Sequence, residues 1–146
     1  MAKNIIYIDG GSRGNPGPSS FGMVICDGQG TVLKRYSEYI GKATNNEAEY
    51  QGLIFALKKI KAYFGKEKSK KMQIELFSDS QLLVKQMNGE YKVINSKIQP
   101  LFLTAWNLKI GYKNIKICFI PREKNQEADK LVNQALDAEN KKQKLF

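Results

Sequence analysis

The chain has 146 residues, which is enough for one domain with a hydrophobic core and too few for two. It carries 24 lysines and arginines against 14 acidic residues, a formal net charge of +10. This surplus favours binding to a polyanion, most often nucleic acid; the alternative is a solvated, lysine-rich surface that aids solubility. The chain has no histidine and two cysteines, which excludes an ordinary zinc site.

The same composition bears on location. No apolar stretch approaches the length needed to cross a bilayer. The first residues lead straight into a short apolar run, without the pattern of a secretory signal. Cys26 and Cys118 lie in apolar runs, which indicates buried, reduced thiols. We therefore expect a cytoplasmic protein without a membrane partner. We also expect a monomer, since no heptad repeat or apolar surface stripe is visible.

Apolar periodicity predicts alternating strands and helices. A hairpin-rich start followed by strand–helix–strand units predicts an α/β fold, a mixed sheet with helices packed on it. We expect one domain over residues 1–140 and a frayed basic tail at 141–146. In chain order, the predicted elements are a strand at 5–8, a glycine-rich loop at 10–18, strands at 21–26 and 32–39, a helix at 44–63, a lysine-rich loop at 65–71, a strand at 72–77, a short helix after Asp79 that Gly89 ends, a helix at 98–108, a strand at 115–120 and a helix at 125–139.

Two acidic residues follow apolar strand runs. Strand alternation puts Asp9 on one face with Ile5 and Tyr7, although an Asp beside Gly10 is also common in turns. Asp79 lies at a strand-to-helix junction, and the carboxyl ends of strands are where open sheets build their sites. The alternative for Asp79 is a helix N-cap. Neither residue alone decides between a structural and a functional role.

Two more acidic residues lie on or beside the apolar faces of predicted helices. Thr44 and Glu47 fit a capping box, so Glu47 has a structural role. Glu49 instead shares helical spacing with the apolar stripe of its helix. Burying an ionised carboxylate is costly unless it is paired or metal-bound. The position of Glu49 therefore favours a functional role for this residue; the alternative is an ion pair with a neighbouring Lys or Arg. Asp129 flanks an apolar stripe; the alternative there is an exposed first-turn Asp that favours the helix dipole.

Together the four carboxylates are more informative than any one of them. A small domain does not gather uncompensated negative charge without a cation to receive it. A ligand set made of oxygen alone suits Mg²⁺ or Mn²⁺. Two such ions about 4 Å apart promote in-line displacement at phosphorus. With the basic surface, the acids predict hydrolysis of a phosphodiester in a nucleic acid.

The sequence also resembles the type 1 ribonuclease H family. Four motifs carry the resemblance, in family order and across nearly the whole chain: YIDGGSRGNPG (7–17), TNNEAE (44–49), SDSQ (78–81) and NQEAD (125–129). The resemblance implies a ribonuclease H-like catalytic domain at 1–140, with a five-stranded mixed sheet whose first three strands are antiparallel. It implies hydrolysis of the RNA strand of RNA–DNA hybrids, leaving 5′-phosphate and 3′-hydroxyl ends, with two Mg²⁺ ions, or Mn²⁺ in their place, as cofactors.

By position, the resemblance implies that Asp9, Glu49, Asp79 and Asp129 bind the metal and are catalytic. The residues that it implies as substrate contacts are Gly11, Ser12, Asn15, Thr44, Asn45, Asn46 and Gln81. Glycines let the chain approach a nucleic-acid backbone, and side-chain amides both donate and accept hydrogen bonds, as a 2′-hydroxyl does. For Asn45 and Asn46 the alternative is helix capping alone.

The chain departs from many family members in the loop before the last acid, where those members carry a histidine. This loop holds Arg122, Glu123 and Lys124. Arg122 is a candidate phosphate contact, and Glu123 or Lys124 is a candidate to assist proton or product movement. The alternative for each is a solvated, charged turn.

A second departure is the lack of a basic helix and handle after the third acid. Hybrid affinity would then rest on lysines elsewhere, such as those at 58, 59, 61 and 66–71. Relatives without the handle raise one alternative, a relaxed nuclease that also cuts duplex RNA. The other alternative is a nucleic-acid binding module without catalysis, which the presence of all four acids disfavours.

Overall fold

The structure, a computed structural model, describes residues 3–145 and is built around one five-stranded sheet. The strands are β1 (Lys3–Ser12), β2 (Gly17–Cys26), β3 (Val32–Ala43), β4 (Gln73–Ser78) and β5 (Asn114–Phe119). Their order across the sheet is β3-β2-β1-β4-β5. The first three pair antiparallel, and β4 pairs parallel with β1 and β5, so the predicted mixed sheet is confirmed. The first two residues of the expected domain, and Phe146 of the expected tail, lie outside the described residues.

The helices cover the two faces of the sheet. They are α1 (Asn45–Phe64), α2 (Lys66–Lys71), α3 (Gln81–Met87), α4 (Gln99–Ile110) and α5 (Gln126–Lys144). Ile6 and Ile8 of β1 join the large core with α1, whereas Ile5 and Tyr7 join a smaller cluster under α5. Strand alternation places Asp9 on the same face as Ile5 and Tyr7, and this is the face that α5 covers. Among residues 3–145, no helix is both long and apolar enough to cross a bilayer.

Strands β1 and β2 run further than predicted, through the glycine-rich segment. Gly11 pairs with Ser20 and Ser12 pairs with Ser19. The ladder uses backbone groups alone, so small side chains do not end it. The turn shrinks to residues 13–16 and is closed by the N–H of Arg13, which donates to the carbonyl of Pro18 at 2.8 Å. The loop implied to meet the substrate is therefore the tip of an ordered hairpin.

Two predictions about charged segments are wrong. The lysine-rich loop contains helix α2, in which the Ser69 hydroxyl donates to the carbonyl of Lys66 at 3.1 Å. Helix α5 continues to Lys144, so a helix and not a frayed tail occupies residues 141–144. Lys, Glu and Gln are good helix formers, and lysines near a helix C-terminus interact favourably with its dipole.

The two cysteines are free thiols with different exposure. Cys26 is buried, as expected, in the cluster under α5. Cys118 is only half-buried, because α5 packs on the first three strands and β5 lies at the other edge of the sheet.

Helix α4 carries a partly exposed apolar stripe. Leu103, Trp106 and Ile110 are spaced i, i+3 and i+7 and are 57%, 36% and 68% exposed. Phe102 stacks on Trp106 with ring centroids 5.8 Å apart, and the Lys109 ammonium lies 5.2 Å from the same ring. These contacts shield part of the stripe, and the monomeric state stays a prediction.

Candidate active site

Asp9 and Asp79 lie side by side on neighbouring parallel strands. Asp79 directly follows β4, and the β1–β4 register aligns the residues that precede the two acids. Adjacent strands are about 4.8 Å apart, which brings the two carboxylates together. The N-cap alternative for Asp79 is wrong, because Ser80 caps α3: its hydroxyl accepts from the N–H of Leu83 at 3.2 Å.

Glu49 is positioned by the start of α1 and by a glycine in the sheet. The Thr44 hydroxyl accepts from the N–H of Glu47 at 3.1 Å, and the Glu47 carboxylate accepts from the N–H of Thr44 at 3.0 Å. The predicted capping box is thus confirmed. A Cβ at Gly10 would overlap the backbone of α1 at Glu49. The absence of that Cβ lets the second turn of α1 lie against β1.

Gly22 has the same function for α5 on the opposite face of the sheet. In the β1–β2 ladder, Gly22 pairs with Asp9. A Cβ at Gly22 would lie 2.7 Å from the carbonyl oxygen of Ala128. Helix α5 therefore meets the sheet beside Asp9, and its first turn carries Asp129. Gly10 and Gly22 together bring two helices to one carboxylate.

Three of the four predicted acids line one open cleft. Asp9, Glu49 and Asp129 contribute to a cleft of about 420 Å³, and Asp79 lies next to Asp9 at its edge. None of the four acids has a cationic partner within ion-pair distance in the described residues. The ion pairs there all lie elsewhere: Lys3–Glu75, Arg13–Asp137 and Arg35–Glu127.

Asp9 is the electrostatic centre of the group. Burial, together with the charges of Asp79, Asp129 and Glu49, raises the pKa of Asp9 from 3.8 to about 8. The N–H of Gly10 donates to Asp9 Oδ1 at 2.9 Å and offsets part of it. All four carboxylates therefore interact, and the central one ionises readily only when positive charge is brought to it.

Glu49 responds in the same direction. Burial raises the pKa of Glu49 from 4.5 to about 7. The Ser80 hydroxyl and the Arg122 guanidinium lower this pKa, whereas the charge of Asp79 raises it. Two neighbouring carboxylates with raised pKa values are typical of a functional site.

The donor set fits a hard divalent cation. Carboxylate oxygens are the ligands that Mg²⁺ and Mn²⁺ prefer. Across residues 3–145, no three acidic or sulfur side chains lie close enough to enclose an ion on their own. Mg²⁺ sites in proteins keep several waters and use one or two carboxylates together with substrate phosphate oxygens.

Asn125 is a residue of this site that the sequence did not single out. Its side chain is 1% exposed, and its Nδ2 donates to the carbonyl of Ile8 at 2.8 Å and to Asp79 Oδ2 at 3.1 Å. It therefore ties the start of α5 to β1 and holds one oxygen of Asp79. In a sequence, an Asn at a helix start indicates an N-cap and gives no sign of a contact with a distant acid. Asn125 makes no cap hydrogen bond.

Three residues implied as substrate contacts hydrogen-bond to one another. The N–H of Ser12 donates to Asn45 Oδ1 at 2.9 Å, and the N–H of Asn45 donates to Asn15 Oδ1 at 3.0 Å. The Ser12 hydroxyl donates to the carbonyl of Ala43 at 2.9 Å. Both amide oxygens are used within the protein, so Asn15 and Asn45 offer their Nδ2 donors to a ligand. Such donors suit phosphate and sugar oxygens.

The remaining implied contacts are placed differently. Gly11 lines the acid cleft, and Gln81 is exposed at the first residue of α3, two residues after Asp79. Asn46 is exposed, and the Thr44 hydroxyl is used in the capping box. The cap of α1 therefore belongs to Thr44 and not to Asn45 or Asn46, so capping does not account for either amide.

The structure separates the three charged residues of the loop before α5. Arg122–Lys124 form a short 3₁₀ turn. Arg122 lines the acid cleft and lowers the pKa of Glu49. Glu123 and Lys124 instead line a second cleft of about 350 Å³, between this turn, α5 and the first three strands. Of the three, Arg122 is the residue directed to the acids.

The segment between α3 and α4 spans residues 88–98 and contains no helix, so the basic handle is absent. The lysines suggested in its place lie toward the far end of the molecule. Lys58 is about 14 Å further along α1 than Glu49, at ~1.5 Å per residue. Helix α2 precedes β4, so it lies near the start of this strand, whereas Asp79 follows the end of the same strand.

Comparison with known proteins agrees with this architecture. The reverse transcriptase-like family matches residues 7–135. A ribonuclease HI from Halobacterium salinarum is 41% identical over 131 residues, which are 90% of this chain and 63% of that protein. A bifunctional protein of Mycobacterium tuberculosis is 40% identical over 137 residues, which are 93% of this chain but 36% of its own. The chain thus spans less than two thirds of the length of these relatives.

Solved structures match over nearly their whole length. A ribonuclease H1 isolated from compost, crystallised with an RNA/DNA hybrid, superposes with a TM-score of 0.88 at 45% identity, covering 92% of this chain and 97% of that one. The amino-terminal ribonuclease H domain of a Mycobacterium tuberculosis protein gives 0.86 at 38% identity, covering 97% and 99%. With the motifs and the sheet order, these matches show that the chain belongs to the reverse transcriptase-like family and, within it, to the type 1 ribonucleases H.

Proposed function

We propose that this protein is a metal-dependent endoribonuclease that hydrolyses the RNA strand of RNA–DNA hybrids. One observation carries the proposal: four carboxylates meet at the carboxyl end of β1 and β4, and within residues 3–145 none has a cation within ion-pair distance. Burial and the charges of the other three acids together raise the pKa of Asp9 to about 8. Family membership and a relative crystallised with a hybrid support the substrate class. The net charge of +10 supports a polyanionic partner.

Asp9, Glu49, Asp79 and Asp129 would hold two Mg²⁺ ions, or Mn²⁺ in their place. The ions would supply an activated water and stabilise the leaving oxygen, which yields 5′-phosphate and 3′-hydroxyl ends. The protein itself brings the four acids together through Gly10 and Gly22 and orients one oxygen of Asp79 through Asn125. Since one domain carries the whole site, we propose that it acts as a monomer.

Substrate would be held by the rim of the cleft. The Nδ2 groups of Asn15 and Asn45 can donate to phosphate or 2′-hydroxyl oxygens, because their own oxygens are used internally. Gly11 and Ser12 provide a backbone that a nucleic-acid strand can approach closely. Gln81 would contact the substrate from the other side of the acids, as an exposed residue of α3.

Arg122→Ala is expected to lower kcat for the hybrid by about 10–100-fold, on the order of 1.4–2.7 kcal/mol. We propose that this guanidinium, which lines the cleft and interacts with Glu49, stabilises charge on the scissile phosphate. Lys124→Ala removes the same charge from the neighbouring cleft and serves as the control, with a change below about threefold. Equal kcat values for the two variants would contradict this role.

Asn125→Ala is expected to lower kcat by about 10–100-fold, as loss of an outer hydrogen bond to a metal ligand usually does. It should lower the free energy of unfolding by about 1–3 kcal/mol, since a buried hydrogen-bonded side chain is removed. Circular dichroism at the assay temperature separates the two effects. Asn140→Ala, exposed on the same helix, is the control; a folded Asn125 variant with normal kcat would show a merely structural role.

The substrate class is tested with three end-labelled duplexes, RNA–DNA, RNA–RNA and DNA–DNA, each with Mg²⁺, Mn²⁺ or chelator. Metal-dependent cleavage confined to the hybrid is the expected result. Cleavage of duplex RNA as well would establish the relaxed nuclease. Binding without cleavage under every metal condition would overturn the proposal in favour of a binding module.

A further inference from the structure

The outer side of α3 extends from the acid site along the surface. Its inner side is packed into the protein through Leu83, Val84, Gln86 and Met87. Gln81 and Lys85 are spaced i, i+4 and therefore lie on the same outer side. Lys85 is about 6 Å beyond Gln81 along the helix, roughly two nucleotide steps of ~3.4 Å. A strand lying over Asp79 and Gln81 would thus reach Lys85.

Lys85 forms a defined pair with Tyr91 of the segment that follows α3. Its ammonium lies 4.8 Å from the centre of the Tyr91 ring and donates to the Tyr91 hydroxyl at 3.3 Å. The N–H of Tyr91 donates to the carbonyl of Lys85 at 3.2 Å. Tyr91 is nevertheless 49% exposed. The pair is therefore built by the fold and presented to solvent.

The segment that carries Tyr91 is anchored from below. Gln86 is 7% exposed and bridges the core to this segment. Its Oε1 accepts from the Tyr50 hydroxyl at 2.7 Å, and its Nε2 donates to the carbonyl of Lys92 at 3.2 Å. A surface fixed in this way loses little conformational entropy when a ligand binds.

The chemistry of the pair suits a phosphate group. In residues 3–145, no carboxylate lies within ion-pair distance of Lys85, so its charge is not neutralised. Because the Tyr91 hydroxyl accepts from Lys85, its own proton is free to be donated. An ammonium and a hydroxyl donor side by side match the oxygens of a phosphodiester, which every nucleotide offers irrespective of sequence.

We propose that Lys85 and Tyr91 form a backbone-phosphate contact that holds the nucleic acid beside the acids and takes over part of the binding that the absent basic handle would supply. The proposal rests on the proposed function for its ligand, the RNA–DNA hybrid. It assigns the contact to this pair and not to the lysines near the far end of α1 and in α2.

The test measures hybrid binding by a parent protein that carries Asp9→Asn, so that the hybrid is not cleaved during the measurement. Lys85→Gln, Tyr91→Phe or Lys113→Gln is then added to this parent, one at a time. Fluorescence anisotropy of a labelled hybrid is recorded over a range of salt concentrations. Lys113 is exposed just before β5, at the far sheet edge, and its loss changes the net charge by the same amount. Lys85→Gln should raise Kd by about 3–10-fold and reduce the salt slope by about one, as loss of one phosphate contact does.

Tyr91→Phe should raise Kd by about 2–5-fold without changing the salt slope, since it removes a neutral donor. In the cleaving protein, Lys85→Gln should raise KM by a larger factor than it lowers kcat. The proposal would be overturned if the Lys85→Gln and Lys113→Gln variants had the same Kd and the same salt slope. Absence of hybrid cleavage by the unmodified protein overturns the proposed function instead, and absence of hybrid binding by the Asp9→Asn parent overturns both.

Discussion

Asp9→Asn is expected to lower Mg²⁺-dependent cleavage of an RNA–DNA hybrid by about 10³-fold or more, on the order of 4 kcal/mol of transition-state stabilisation. Asp9 lies between the other three acids, and its pKa responds to all of them. An amide in its place keeps the shape but removes the charge that a metal needs. Initial rates of RNA-strand cleavage measure the effect.

The same substitution should stabilise the metal-free protein at pH 8, by about 1–3 kcal/mol. In the folded wild type the pKa of Asp9 is raised from 3.8 to about 8, so the folded state keeps a proton that the unfolded state has released. The folded state therefore binds more protons in this window, and the free energy of unfolding falls as pH rises from about 4 to about 8. The variant lacks the part of this fall that Asp9 contributes and keeps the part that Glu49 contributes, because burial raises the pKa of Glu49 to about 7. Urea unfolding at pH 5 and pH 8 measures it.

A matched control separates site chemistry from general charge. Glu127→Gln removes one negative charge from the exposed first turn of α5, outside the acid cleft. We expect its activity to stay within about twofold of wild type, with little change in the pH dependence of unfolding. Added Mg²⁺ should stabilise wild type and Glu127→Gln more than Asp9→Asn. Equal stabilisation of all three would show that Asp9 is not a metal ligand.

Gly10→Ala is expected to destabilise the protein by about 3 kcal/mol or more and to abolish most of its activity. The added Cβ would overlap the backbone of α1 at Ala48 and Glu49, and backbone cannot rotate away as a flexible side chain can. Relief requires α1 to move off β1, which carries Glu49 away from Asp9. Thermal unfolding and hybrid cleavage below the transition temperature measure the two effects.

Gly111→Ala is the control for this prediction. Gly111 has a φ of −67° at the end of α4, and a Cβ there would lie 3.3 Å from one carbonyl oxygen, that of Leu108. Its free energy of unfolding should change by less than about 1 kcal/mol, with normal activity. If the Gly10 variant keeps full activity at temperatures where it is folded, the close approach of α1 is not what positions Glu49.

Much of the site could be predicted because two of the acids stand out from their local pattern, and the other two gain meaning beside them. Glu49 interrupts an apolar stripe, and Asp79 leaves an apolar strand where a cap could have followed. Period and spacing reveal such conflicts within one segment. Period and spacing also predict the mixed sheet, because strand alternation and turn residues are local signals.

The parts that could not be predicted depend on contacts between distant segments. Gly22 looks like an ordinary strand residue in the sequence, and its role appears once α5 lies on it. Asn125 has the appearance of a helix cap, yet its amide reaches Asp79, 46 residues away. The pairing of Lys85 with Tyr91 likewise depends on how the segment after α3 folds back. Helix α2 and the end of α5 differ from the sequence prediction because charged residues continue a helix as readily as they form a loop.

The measurement that tests the central claim most directly uses one hybrid with a different label on each strand. It is incubated with the protein and Mg²⁺, with and without excess chelator, and the product ends are identified by mass. We predict cuts in the RNA strand alone, with 5′-phosphate and 3′-hydroxyl ends, and no cuts with chelator. Cuts in the DNA strand, 2′,3′-cyclic phosphate ends, or cleavage that survives the chelator would contradict a metal-dependent ribonuclease H built on these four acids.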